Sequence, residues 1–329
     1  MAVGDAVLLL GGDASPVCPP GASCVAPPQP LKDSAAYSPR TGTWRTLADS
    51  PTAPSLGAVA ELAGLAYVLA QNRLHTYDPG QDTWTELPAP PDTDGLLVAA
   101  GDKLLRLETT QEQGVQPDHL YDPARRTWRA LPRDPLAPTF DRGAVWTGDR
   151  LVLLGKPLPP PPVDGVDSST VFVQAATFDP VTWTWTRTPQ HDAVVGFGTQ
   201  YSWTGDRVLL PYVFDYRAGG ANPDGTPEPT GGLLDPATGR WERLPTSPGP
   251  RRNGLHVEAL SRDLVTAGEG LVLDVPAERW YPLDPAPGAP SEGVTAAWVG
   301  RQLVVFGGSA TSGTSRVLTA DTRVWTAPG

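Results

Sequence analysis

The side chains in this chain that could carry chemistry are few and scattered. Four histidines occur: His75, His119, His191 and His256. Their spacing matches neither a His-Glu-x-x-His helix nor any other paired-histidine metal arrangement. Asp192 follows His191, but one His–Asp neighbour pair is too little to specify acid–base work. Asp164, Asp167 and Ser168 share one loop, and oxygen donors so placed can take calcium. A solvated loop fits the same residues better, so no metal site and no cofactor are predicted. No Gly-x-Ser-x-Gly elbow, phosphate loop or dinucleotide fingerprint is present.

Cys18 and Cys24 stand in Cys-Pro-Pro-Gly-Ala-Ser-Cys. Two cysteines on a short Pro/Gly loop can close a small disulfide or remain two thiols. The disulfide is the expectation, because no other metal ligands flank the pair, and it implies an oxidising compartment.

The net charge of −11 and the sequence pI near 4.8 come with no basic stripe, which argues against nucleic acid as a partner. No apolar run approaches the ~20 residues that cross a bilayer, so membrane insertion is not expected. The N-terminus lacks the basic n-region of a signal peptide. Gly (35) and Pro (39) make up a little over a fifth of the chain. Proline at that density interrupts helices, while 40% hydrophobic residues and 11 tryptophans suffice for a core.

The elements emerge from a repeat. Trp44, Trp84, Trp128, Trp185, Trp241, Trp280 and Trp325 recur at intervals of 39 to 57 residues. Seven residues before each stands an aromatic residue or leucine: Tyr37, Tyr77, Tyr121, Phe178, Leu234, Leu273 and Leu318. Between them lies a turn such as Tyr77-Asp78-Pro79-Gly80-Gln81-Asp82-Thr83-Trp84, where Asp caps its own bend and Pro fixes φ. This predicts a hairpin, seven times. A second hairpin precedes most of these, turning at Gly101-Asp102, Gly148-Asp149, Gly205-Asp206 or Gly300-Arg301. Glycine supplies the positive φ of such turns. Four strands in ~40–57 residues is the arithmetic of a propeller blade. The expected fold is therefore all-β, a seven-bladed β-propeller of four-stranded antiparallel blades. It forms one domain over 1–329, with repeats near 1–50, 51–90, 91–134, 135–191, 192–247, 248–286 and 287–329.

The double glycine, the Tyr-Asp-Pro turn and the tryptophan resemble kelch repeats, as in bacterial kelch-like propellers and the central propeller of galactose oxidase. The Tyr/Leu-to-Trp spacing carries the resemblance along the whole chain, whereas the double glycine survives only as Gly11-Gly12 and Gly307-Gly308. The turn loosens in the last two repeats. With just two cysteines, both in the first-blade loop, the copper ligands of galactose oxidase have no matching positions, and no copper chemistry is implied. WD repeats and sialidase Asp-boxes do not fit: no Trp-Asp dipeptide occurs, and aromatics or leucine stand where an Asp-box needs Ser or Thr.

Only Met1-Ala2-Val3 precedes the first Gly-Asp turn, so the first blade is expected to lack its inner strand. An open inner edge is what propellers avoid, and a natural upstream segment that carries an export signal is the expected remedy. The expected location is then extracellular or at the cell surface, and otherwise cytoplasmic.

The tight turns leave little room for variation, whereas the loops between second and third strands are long: 13–32, 109–117, 156–169 and 216–231. Function concentrates on such loops. Each inner strand of repeats two to seven opens with glycine, preceded by Leu56, Asp94, Arg142, Phe197, Asn253 and Glu292. If the repeats superpose, these side chains ring one mouth of the channel, and His256 faces it too. Asp94, Arg142, Phe197, Asn253, Glu292 and His256 are the ligand-binding candidates. The seven repeat tryptophans are read as blade packing, and Trp146, Trp203 and Trp298 as core. The expected function is a non-catalytic, monomeric binding propeller for a protein, glycan or small molecule. The competing readings are a secreted carbohydrate-active hydrolase or lyase with rim carboxylates and a spacer domain of a larger surface protein.

Overall fold

The computed structural model describes residues 1–15, 29–54, 58–91, 95–158, 171–189, 194–195, 201–210, 232–245, 248, 255, 257–267, 270–284, 292–312 and 315–328. Among them there is no helix, and the strands form seven antiparallel blades.

Blade one is β1 (Ala2–Val3), β2 (Ala6–Asp13), β3 (Pro30–Ser38) and β4 (Thr43–Leu47). Blade two is β5 (Ala58–Leu62), β6 (Leu65–Ala70), β7 (Arg73–Asp78) and β8 (Thr83–Leu87). Blade three is β9 (Leu96–Ala100), β10 (Lys103–Leu107), β11 (His119–Asp122) and β12 (Thr127–Ala130). Blade four is β13 (Thr139–Trp146) and β14 (Leu151–Pro157), then β16 (Gln174–Asp179) and β17 (Thr184–Arg187). A separate ribbon pairs β15 (Val171–Phe172) with β18 (Val194–Val195). Blade five is β19 (Ser202–Trp203), β20 (Val208–Leu210), β21 (Gly232–Leu234) and β22 (Trp241–Glu242). Blade six is β23 (Glu258–Leu260), β24 (Leu264–Ala267), β25 (Leu271–Asp274) and β26 (Arg279–Pro282). Blade seven is β27 (Glu292–Val299), β28 (Gln302–Ser312), β29 (Ser315–Leu318) and β30 (Thr322–Thr326).

In six blades the repeat tryptophan lies opposite its partner across the third and fourth strands, as in Tyr37↔Trp44, Tyr77↔Trp84 and Leu273↔Trp280. The Tyr77 and Trp84 ring centroids are 4.9 Å apart and tilted by 40°. The turn aspartates cap as their position implies: Asp78 Oδ1 accepts from the Gly80 and Gln81 amides, and Asp235 Oδ1 from those of Ala237 and Thr238.

Four of these tryptophans also reach the preceding blade. The indole N–H of Trp84 donates to the Ala48 carbonyl, Trp128 to Pro88, Trp185 to Pro132 and Trp280 to Pro245. Every acceptor lies four residues beyond the previous repeat's tryptophan. The inner-strand tryptophans pack in the cores between blades, with Trp298 buried and Trp146 and Trp203 half-buried.

Two blades depart from the repeat. The inner strand of blade one is a two-residue stub, paired only at Ala2↔Val7 and Val3↔Ala6. Blade seven corrects the seventh hairpin. Trp325 does not face Leu318 but lies opposite Leu303 on β28, in the slot that Tyr77 or Phe178 holds in its own blade. Leu318 pairs with Ser309 and is 54% exposed. The cause is local. Thr319 follows Leu318 where repeats two to six place an aspartate, and this turn has no proline. Instead β28 runs on for 11 residues, past Gly307 (φ +73°) and Gly308 (φ +105°). Gly307 N–H donates to Asp321 and Thr319 N–H to Gly308, leaving Ala320 as the extra residue of a bulge. β29 and β30 are thus the two halves of one strand along β28.

Candidate functional site

The described cleft lies on the long-loop face, between blades three and four. It is lined by Val115, Gln116, Pro117 and Asp118 from the loop after β10, and by Pro132, Arg133 and Asp134 from the connection between blades. Its volume is about 190 Å³.

One arginine builds it. Arg142, on β13, has a side chain with no solvent exposure. Its Nη1 donates to the Glu108 carbonyl at 2.7 Å and to Asp118 Oδ1 at 3.2 Å. Its Nη2 donates to Asp118 Oδ2 at 2.7 Å and to Asp134 Oδ2 at 3.0 Å. The carboxylates are tied down in turn: Asp118 Oδ1 accepts from the Glu108 amide, and Asp134 Oδ1 from the amides of Leu136 and Ala137. Gln111 completes the strut by exchanging hydrogen bonds with the Thr139 backbone. Burial alone would lower the guanidinium's pKa, but Asp118, Asp134 and Glu108 outweigh it and raise it. Burial holds the Glu108 carboxyl above its usual range.

Arg142 reaches this position through a bulge. The pairing of β13 with β14 shifts between Phe140 and Gly143, and Asp141 takes a φ of +47°. Asp141 meets Lys156, whose buried Nζ donates to Asp141 Oδ2 at 2.9 Å. Burial, with the charge of Asp141 adding to it, raises the pKa of the Tyr201 phenol.

Arg142 therefore does not present its guanidinium to a channel mouth, as superposing the repeats implies; the bulge turns it into the contact between blades. Lys156 and Pro157, taken from sequence as loop, are the end of β14. Glu292 opens β27, with its backbone opposite Ser309. Asp94, Phe197, Asn253, His256 and Leu56, both cysteines (Cys18 and Cys24), and Asp164, Asp167, Ser168, His191 and Asp192 lie outside the described residues. Among the described residues no three His, Cys, Asp or Glu side chains could hold a metal ion. Sequence reasoning missed Asp118 and Asp134. They lie 24 and 8 residues from Arg142, with no spacing that marks them as partners.

Asp118 and Asp134 approach the same guanidinium nitrogen, so their separation alone would suit a paired-carboxylate hydrolase. Their surroundings do not. Such a pair needs one carboxyl that holds a proton near neutral pH, and here a cation stands between two side chains that are 6% and 4% exposed. The chemistry of this arrangement is fixation of two loops.

The molecule is a seven-bladed β-propeller with a pinned loop cleft. No protein-family model and no curated protein matches this chain.

Proposed function

We propose that this chain is a kelch-type, non-catalytic binding propeller that engages a protein or glycan through the cleft between blades three and four. The observation that carries the reading is the Arg142 strut. It fixes both cleft-forming loops before any ligand arrives, and pre-organisation of this kind lowers the entropic cost of binding. The cleft holds roughly six waters at ~30 Å³ each and is smaller than the ~300–1,000 Å³ of pockets that enclose a whole small ligand. It suits one side chain or one sugar of a larger partner. Exposed Gln116 and Arg133 supply donors at its rim, and half-buried Val115 and Pro132 supply apolar wall. An extracellular setting, with Cys18 and Cys24 joined, belongs to the same reading; intact mass before and after reduction tests it by the gain of two hydrogens.

Glycan and peptide arrays probed with the wild-type protein and with Gln116→Arg/Arg133→Glu test the site. Array features bound by wild type should be lost in this double variant and retained in Arg40→Glu, on a tight turn. Features kept by the cleft variant would refute the assignment.

A further inference from the structure

We infer that Arg106, sealed in the seam between blades two and three, is the binding site of a small monovalent anion, a halide or a short carboxylate. Arg106 lies on β10, opposite Leu97 of β9 and His119 of β11. The pairing of β10 with β9 runs without a bulge from Lys103 to Leu107. Alternation therefore puts Arg106 and His119 on the same face as Leu104 and Tyr121. Those two residues share a core with Leu69 and Leu74 of blade two. Arg106 thus enters the contact between the blades, and it is only 2% exposed.

The repeat makes this cation exceptional. In each blade the equivalent position lies two residues beyond the second-strand partner of the repeat aromatic or leucine. It is Leu9 in blade one, Val68 in two, Leu153 in four, Leu210 in five and Ala267 in six. Five blades place an aliphatic side chain where blade three places a guanidinium.

That charge is not matched as the charge of Arg142 is. Arg142 holds two carboxylates at hydrogen-bonding distance, whereas the buried Nε and Nη1 of Arg106 meet no acceptor. Glu108, two residues along the same face, acts on Arg106 only through space. Its Oε2 accepts from the Gln116 amide at 3.3 Å instead. Arginine does not shed its proton in a protein, and a buried ion without a partner is strongly unfavourable. Water could accept from the free donors, but it would leave the charge uncompensated. An anion does both. One positive charge in a low-dielectric seam calls for one negative charge, so a divalent oxyanion would leave an excess. The burial of the side chain limits the ligand to a few atoms.

The test follows the thermal midpoint of the full chain as sodium gluconate is exchanged for sodium chloride or sodium formate at constant ionic strength. Gluconate is too bulky for the seam, so only the small anion varies. The midpoint should rise saturably by about 2 °C or more, and the two arms separate halide from carboxylate. Arg106→Leu, the residue of blades one, four and five, should fold and lose the response. Arg133→Gln, at an exposed arginine, should keep it. Crystals grown in bromide add a measurement independent of any variant: an anomalous peak is expected within hydrogen-bonding reach of the Arg106 guanidinium. No saturable response in wild type, an equal response in folded Arg106→Leu, or bromide peaks at exposed arginines alone would overturn the proposal.

Discussion

Trp44 donates its indole N–H to Thr322 Oγ1 at 2.8 Å, across 278 residues of sequence. The ring of Trp44 also meets Phe306 edge-on at 5.1 Å. The tryptophans of blades two, three, four and six donate to a backbone carbonyl of the blade before. Trp44, on blade one, instead takes a side-chain oxygen of blade seven, which closes the ring.

Thr322→Val should remove that acceptor at a cost of about 0.5–1.5 kcal/mol. Trp44→Phe should cost more, since it also sheds buried area. Denaturant unfolding of both single variants and the double variant should show coupling, with the double less damaging than the sum. Strict additivity would mean that the contact does not hold the ring.

Arg142→Met should destabilise by about 3–5 kcal/mol, because two nearly buried carboxylates lose their cation. Arg142→Lys should fall short of full rescue, since one ammonium cannot span Asp118, Asp134 and the Glu108 carbonyl with planar geometry. Adding Asp118→Asn and Asp134→Asn to Arg142→Met should recover part of the loss. Denaturation midpoints measure all three.

His75 is 2% exposed, and burial lowers its pKa, with Glu86 opposing and Arg73 assisting. A histidine depressed in the fold is protonated more readily when unfolded. Its stabilisation is complete above the unfolded pKa of about 6.5 and is lost as pH falls from there toward the folded value. Stability should decline below pH ~6.5 with a slope contribution of at most about 1.4 kcal/mol per pH unit, and His75→Gln should flatten that segment. Asp122 titrates elsewhere. Hydrogen bonds from the Arg125 backbone and side chain hold it down to about 2, so its contribution is lost only as pH falls from about 4 toward about 2. Urea midpoints across this range separate the two windows.

Gly95→Ala should cost about 1–3 kcal/mol or more. Its φ is +125°, and an added Cβ would lie 2.1 Å from the Leu107 carbonyl oxygen. Gly293→Ala, at φ +67° with nothing within 4 Å, should cost less. Thermal melts of the two variants compare them. The crowding at Gly95 comes from the second strand of its own blade.

The blades were legible because a single interval, aromatic or leucine to tryptophan, encodes strand, capped turn and strand in six repeats. The same interval misled at Leu318 and Trp325, where the spacing survives but the capping aspartate and proline do not; a long hairpin on β28 then wins. The long-loop face was legible from loop length. The Arg142 strut was not. Gly143 marks the inner strand in every reading, but the bulge before it turns Arg142 toward partners that only the folded loops bring together.

Under the proposed function, recognition occurs at the cleft between blades three and four. Hydrogen exchange with and without a ligand selected by the wild-type protein on the arrays tests it most directly. Exchange should slow at the amides of Val115, Gln116, Asp118 and Arg133. Protection confined to the tight turns at Gly101-Asp102 and Gly148-Asp149, with the cleft amides unchanged, would contradict it.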